Sequence, residues 1–145
     1  MAYECQGGLN AGTVLLPGLV AGAGLTGSTV QFKFVRLSAD RTVILVSGTD
    51  QAPIGVLQEP VYATGDPVTV LAKGLTKVRM AADAGTPTAG NILGANADGQ
   101  AAVLSIPAAA AYQAGVLIDA IAGAAVADGV IGTALVNCIV PELGK

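Results

Sequence analysis

From Thr29 onward the chain changes character, and polar and apolar residues begin to alternate. Val30, Phe32 and Phe34 are separated by Gln31 and Lys33, the period of two that puts one face of a strand in a core. Ser38-Ala39-Asp40-Arg41 reads as a turn, and Thr42 to Val46 as a short apolar strand buried on both faces. Pro53 to Leu57 forms the next strand. Gly65-Asp66-Pro67 turns the chain, and Pro67 opens a long strand where its missing N–H does least harm. In that strand Val68, Val70 and Ala72 face one way and Thr69, Leu71 and Lys73 the other. Gly74 marks a bend or tight turn. Beyond it Thr76, Val78 and Met80 share a face, with Lys77 and Arg79 opposite.

The second half repeats this grammar. Ala81 to Gly90 is a loop, Ile92-Leu93 a short strand, and Asn96-Ala97-Asp98-Gly99 a turn. Ala101 to Ile106, Gly115 to Asp119 and Gly129 to Val140 are extended, with Pro107 to Ala111 a linker or one helical turn. In the last strand Val130, Gly132, Ala134, Val136, Cys138 and Val140 share one face and Ile131, Thr133, Leu135 and Ile139 the other, which predicts that both faces are covered. A weak internal echo accompanies the pattern. Gly55-Val56-Leu57 with a later Asp66 is matched by Gly115-Val116-Leu117 with a later Asp128, and Val43-Ile44 stands ahead of the first set as Val103-Leu104 does ahead of the second. Two related β units around one core would give this echo.

No stretch holds a long period of 3.6. The fold class is therefore all-β, a small β-barrel or β-sandwich. Residues 1–28 are Gly-rich, poor in charge and aperiodic, and read as an extended N-terminal arm ahead of a single β domain over 29–145.

The chain has 145 residues, enough for one domain with a core. It is 52% hydrophobic and only 12% charged, with 3% aromatic residues and no Trp. Such a chain is expected to cover part of its surface with neighbours. The net charge of −3 is unevenly spread: Lys33, Arg36, Arg41, Lys73, Lys77 and Arg79 precede Met80, and no Lys or Arg lies between Met80 and Gly144. Two poles of opposite sign help copies dock or orient on a charged surface. No basic run interleaved with aromatics suggests nucleic acid. Cys5 and Cys138 lack metal or redox spacing and fit a reducing compartment. Val116 to Val136 is apolar enough to suggest a membrane span, but Asp119 and Asp128 argue against it.

Candidate chemistry is thin. The chain has no His, so the commonest general base and metal ligand is missing. The acids fall at turn positions such as Asp40, Asp66 and Asp98, where Asp bonds to nearby backbone. Gly22-Ala23-Gly24-Leu25-Thr26-Gly27 matches the glycine spacing of a dinucleotide loop, but that chemistry needs a helix N-terminus after the loop, and Ser28 to Val35 read as β. No catalytic, metal or cofactor residue is assigned.

One order of motifs looks familiar: Phe34-Val35-Arg36-Leu37-Ser38-Ala39-Asp40-Arg41-Thr42-Val43, then Pro53-Ile54-Gly55-Val56-Leu57, Thr64-Gly65-Asp66-Pro67-Val68-Thr69-Val70, Gly74-Leu75-Thr76-Lys77-Val78, Asn96-Ala97-Asp98-Gly99-Gln100-Ala101 and Gly115-Val116-Leu117. Over about residues 30–140 it resembles the small capsid decoration, or cement, proteins of tailed bacteriophages. The resemblance implies a non-enzymatic virion protein, made in the host cytoplasm. It would sit on the outer capsid surface, bridge neighbouring major capsid protein subunits and assemble as a homotrimer. No cofactor, nucleic acid or membrane partner is implied. Tyr3, Leu9, Val14, Leu15 and Leu16 of the arm are the expected packing contacts on neighbours, and Arg36, Arg41, Lys73, Lys77 and Arg79 the polar ones. On this reading removal of residues 1–20 leaves a folded domain that no longer holds the capsid. The competing readings are a receptor- or glycan-binding β-module on the virion, disfavoured by the few aromatics, and a carboxylate-based enzyme.

Overall fold

The structure is a computed structural model and describes residues 12–82, 86–104, 111–119, 129–138 and 142–143. Its elements are β1 (Val14–Ala21), β2 (Phe34–Ala39), β3 (Thr42–Leu45), β4 (Gly55–Leu57), β5 (Pro67–Arg79), β6 (Ile92–Ala95), β7 (Ala101–Val103), β8 (Tyr112–Gln113), β9 (Gly115–Leu117), β10 (Ile131–Asn137) and β11 (Glu142–Leu143). The all-β expectation holds. β1, β3, β2, β4 and β5 pair in that order, and β1 returns to β5, closing a barrel. Closure removes the exposed edges that would invite aggregation.

The alternating residues of the staves explain the closure. Val35, Val43, Leu57, Val68 and Val70 point inward with Leu19 and Ala21 of β1 and pack as one cluster. Their neighbours Phe34, Val56 and Leu71 point outward, yet are also buried, in a second cluster with Leu93, Ala101, Leu117 and Ala134. The wall formed by β2, β4 and β5 thus has apolar contact on both sides.

That second cluster is the core of a second unit built like the first. β7, β6, β9 and β10 follow the order of β3, β2, β4 and β5. The registers match: Val35 opposes Leu45 and Gly55, and Leu93 opposes Val103 and Gly115. Val56 opposes Leu71, and Val116 opposes Leu135. Loop bonds match too. The Ile54 amide donates to the Val35 carbonyl at 2.8 Å and the Ala114 amide to the Leu93 carbonyl at 2.8 Å. The Leu57 amide donates to Lys33 at 3.0 Å and the Leu117 amide to Asn91 at 2.9 Å. A parallel bridge, Met80 to Ala101, closes the second ring where β1 and β3 run parallel in the first. The weak echo in the sequence is therefore a tandem β unit, but around two cores rather than one.

β5 belongs to both units. Its first half pairs with β1 and its second half with β10. Gly74 at the changeover has a φ of +131° and stays inside the strand, so it bends the chain rather than turning it.

Several expectations are corrected. Residues 14–21, expected in an arm, are a barrel stave, because Leu19, Ala21 and Leu25 are buried in the first core; removing residues 1–20 would open the barrel. The expected strand at Thr29 is a short 3-10 turn, Ser28–Val30, and Phe32 has a φ of +66°, so extension starts only at Phe34. The loop from Gly22 to Gly27 is thus followed by this three-residue turn, not by the long helix a pyrophosphate site uses. β10 has one covered face only: Ile131 and Leu135 are exposed.

Candidate docking surface

Among the described residues no group of His, Cys, Asp or Glu is arranged to hold a metal ion. Two of the acids serve the framework. The Asp66 carboxylate accepts from the Ala63 amide at 2.9 Å and the Glu59 carboxylate from the Thr69 amide at 2.6 Å. Cys138 is buried in the second core, and burial pushes its thiol up to about 12, so it stays protonated.

The molecule's visible feature is instead a wall of the second unit. Strand alternation turns Lys73, Leu75, Lys77 and Arg79 outward along β5. Leu75 lies directly opposite Leu135 of β10, Leu135 opposite Val116 of β9, and Val116 opposite Ile92 of β6. Leu75, Leu135 and Val116 are 60, 51 and 38% exposed, and Ile92 is half-buried. One apolar row therefore crosses four strands in the open. The equivalent row of the first unit, Phe34, Val56 and Leu71, is sealed in the second core.

The expected contact residues divide into groups. Lys73 and Lys77 are exposed beside the apolar row, with the Lys77 ammonium 6.0 Å from the centroid of the Phe32 ring. Arg79 is half-buried and ties loops together: its Nε donates to the Gln31 carbonyl at 3.2 Å and its Nη1 to the Gly129 carbonyl at 3.4 Å. Arg36 and Arg41 lie away from this wall, on β2 and the turn after it. Arg36 Nη1 donates to the Leu37 carbonyl at 3.3 Å and Arg41 Nη1 to the Gly18 carbonyl at 3.5 Å. Val14, Leu15 and Leu16 are in β1. Leu15 and Leu16 line a groove of about 480 Å³ with Leu19, Pro67, Val68 and Glu59. Tyr3 and Leu9 lie outside the described residues. Leu75, Val116, Ile131 and Leu135 were missed because an apolar residue in a strand looks the same in sequence whether covered or not.

No family model matches the chain, and no curated protein matches it. A solved structure does: the N base of head fiber gp8.5 of bacteriophage phi29. The likeness has a TM-score of 0.55 at 15% identity and covers 86% of this chain and 94% of that one. It is a likeness of fold, and it extends through both units rather than the first barrel alone.

Proposed function

We propose that this chain is a structural protein of a phage virion, bound to the outer surface of the capsid, where it holds neighbouring major capsid protein subunits together. The observation that carries this reading is the fold shared, over most of both chains, with the N base of a phage head fiber. The resemblance of the turn motifs to capsid decoration proteins points the same way. The physics suits the task. A closed barrel and a second β unit that share one continuous strand make a stiff body, and a stiff body touching several subunits ties their separations together. Several modest contacts on one body give slow release through effective concentration. No step in this role makes or breaks a covalent bond.

The test uses the purified full chain and expanded, undecorated phage heads. The expected result is co-sedimentation at saturable stoichiometry, density on the outer surface by electron microscopy, and heads that withstand higher temperature. A chain that stays in the supernatant at micromolar concentration overturns the reading.

A further inference from the structure

We propose that the open row of the second unit, Ile92, Val116 and Leu135, is the seat of a third β unit, carried by a different polypeptide, whose core is open on one side and is filled by this row. This stands independently of the virion reading.

The contact between the two units of the chain is the template. There the outer row of the first unit, Phe34, Val56 and Leu71, fills the second core among Leu93, Leu117 and Ala134. Register makes Ile92, Val116 and Leu135 the same row one unit further on. Phe34 opposes Val56 and Val56 opposes Leu71, as Ile92 opposes Val116 and Val116 opposes Leu135. The strand at the border is repeated as well. β1 runs antiparallel to β5 with Leu15 opposite Leu71, and the second half of β5 runs antiparallel to β10 with Leu75 opposite Leu135. The Gly22 amide donates to the Val43 carbonyl at 2.8 Å, and the Ala81 amide to the Ala101 carbonyl at 2.9 Å. The step from first unit to second therefore carries the sealed row onto the open one. In a repeat array each unit covers its neighbour, and the last ends on a polar outer face. Here the last row is apolar, and β6, β9 and β10 carry no charged residue. Among the described residues it is uncovered, with Val116 and Leu135 38 and 51% exposed.

The template also excludes a copy of this chain as the occupant. The first core holds Leu25, Val30 and Val61 from its own loops, and the second holds the row of the first unit. Both cores of a copy are filled, so neither can take in another wall. The edge of the contact follows too. Leu15, the counterpart of Leu75, stays 52% exposed although the row beside it is sealed. Leu75 therefore belongs to the rim, with Lys73 and Lys77 on the same face of β5, and Val116 and Leu135 to the centre.

The probe is the full chain with residues 74–137 duplicated in tandem after Asn137, so that Gly74 follows Asn137 as it follows Lys73. This supplies a third unit whose core has only the open row to fill it. Circular dichroism, urea unfolding, and limited proteolysis read by mass spectrometry are expected to show added strand signal and a protected added segment. Leu135→Asp at its first occurrence should abolish both gains, and Leu75→Asp at its first occurrence should leave them. In the unduplicated chain Leu135→Asp should stay folded and keep the wild-type mass by light scattering on size-exclusion-separated protein. Leu135→Ser replaces it if the aspartate disturbs the unduplicated fold. An added segment digested as an unfolded tail, a Leu75→Asp effect as large as that of Leu135→Asp, or a fall in mass of the unduplicated variant overturns the proposal, the last by making the occupant a copy.

Discussion

Arg41 and Gly99 occupy the same place in the same turn of two successive units. Both have a left-handed backbone, with φ of +52° and +73°, and each follows the dipeptide Ala-Asp. Leu37 and Val43 flank the first turn and pair across it, as Ala95 and Ala101 do across the second. One unit meets the left-handed conformation with glycine, the other with a residue that is strained there.

Replacing Arg41 with Gly should therefore stabilise the chain, by about 0.5–1 kcal/mol, since the lost Arg41–Gly18 bond is long at 3.5 Å. Gly99→Ala should do the reverse and cost more, about 1–3 kcal/mol. A side chain there adds strain and falls 2.9 Å from the Phe34 carbonyl oxygen, beside the 2.7 Å bond from the Phe34 amide to the Gly99 carbonyl that joins the units. Urea unfolding of both variants checks the opposite signs.

Gly55 and Gly115 form a second matched pair. A Cβ on Gly115 would lie 2.6 Å from the Leu135 carbonyl oxygen, and one on Gly55 would lie 2.6 Å from Val70 Cγ1 and strike the Leu71 carbonyl. Backbone cannot give way as a side chain can, so alanine at either site should cost roughly 2 kcal/mol or more. Equal effects of Gly55→Ala and Gly115→Ala on the melting temperature are expected from the repeated geometry.

Leu57 and Leu117 are matched, fully buried core residues of the two units. Truncation of either to Ala should cost about 2–5 kcal/mol. Because β5 is a stave of both units, the two variants should each unfold in one transition, followed by circular dichroism during denaturation. Two separated transitions would show the units to be independent.

Cys138 sets a pH dependence. Its thiol has an ordinary value of 9.0 and is raised to about 12 in the fold by burial. Below pH 9 the thiol is neutral in both states and the contribution is constant. Between pH 9 and 12 the unfolded chain ionises while the folded one does not, so stability falls as pH rises, by up to a few kcal/mol. Cys138→Val should flatten that part of the stability profile, and the native Cys138 thiol should react with a thiol reagent far more slowly than after denaturation.

Deleting residues 1–20 removes most of β1, which pairs with both β3 and β5. The remaining chain should lose its cooperative melt rather than persist as a folded domain that merely releases its partner.

The strands themselves were legible because a β-strand writes its period into neighbouring residues. Val68, Val70 and Ala72 against Lys73, Lys77 and Arg79 already divide β5 into an inner and an outer face, and the turns announce themselves through Asp40, Asp66 and Asp98. The duplication was only half legible. Its matched core positions hold different residues, such as Val35 and Leu93 or Val43 and Ala101, because a core demands volume and hydrophobicity rather than identity; pairing register is what is conserved between the units, and register involves residues distant in the chain. The place of β1 was illegible for the same reason: Leu19 and Ala21 have no local period and acquire a role only when β3 and β5 arrive on either side. Sequence alone determined the β character, the turns and the poverty of reactive groups, all of which depend on residues a few positions apart. Tertiary structure alone decided that there are two cores, and that the row of Phe34, Val56 and Leu71 is sealed while that of Ile92, Val116 and Leu135 is open. Covering a surface needs a second body, and which body covers which is a matter of long-range packing.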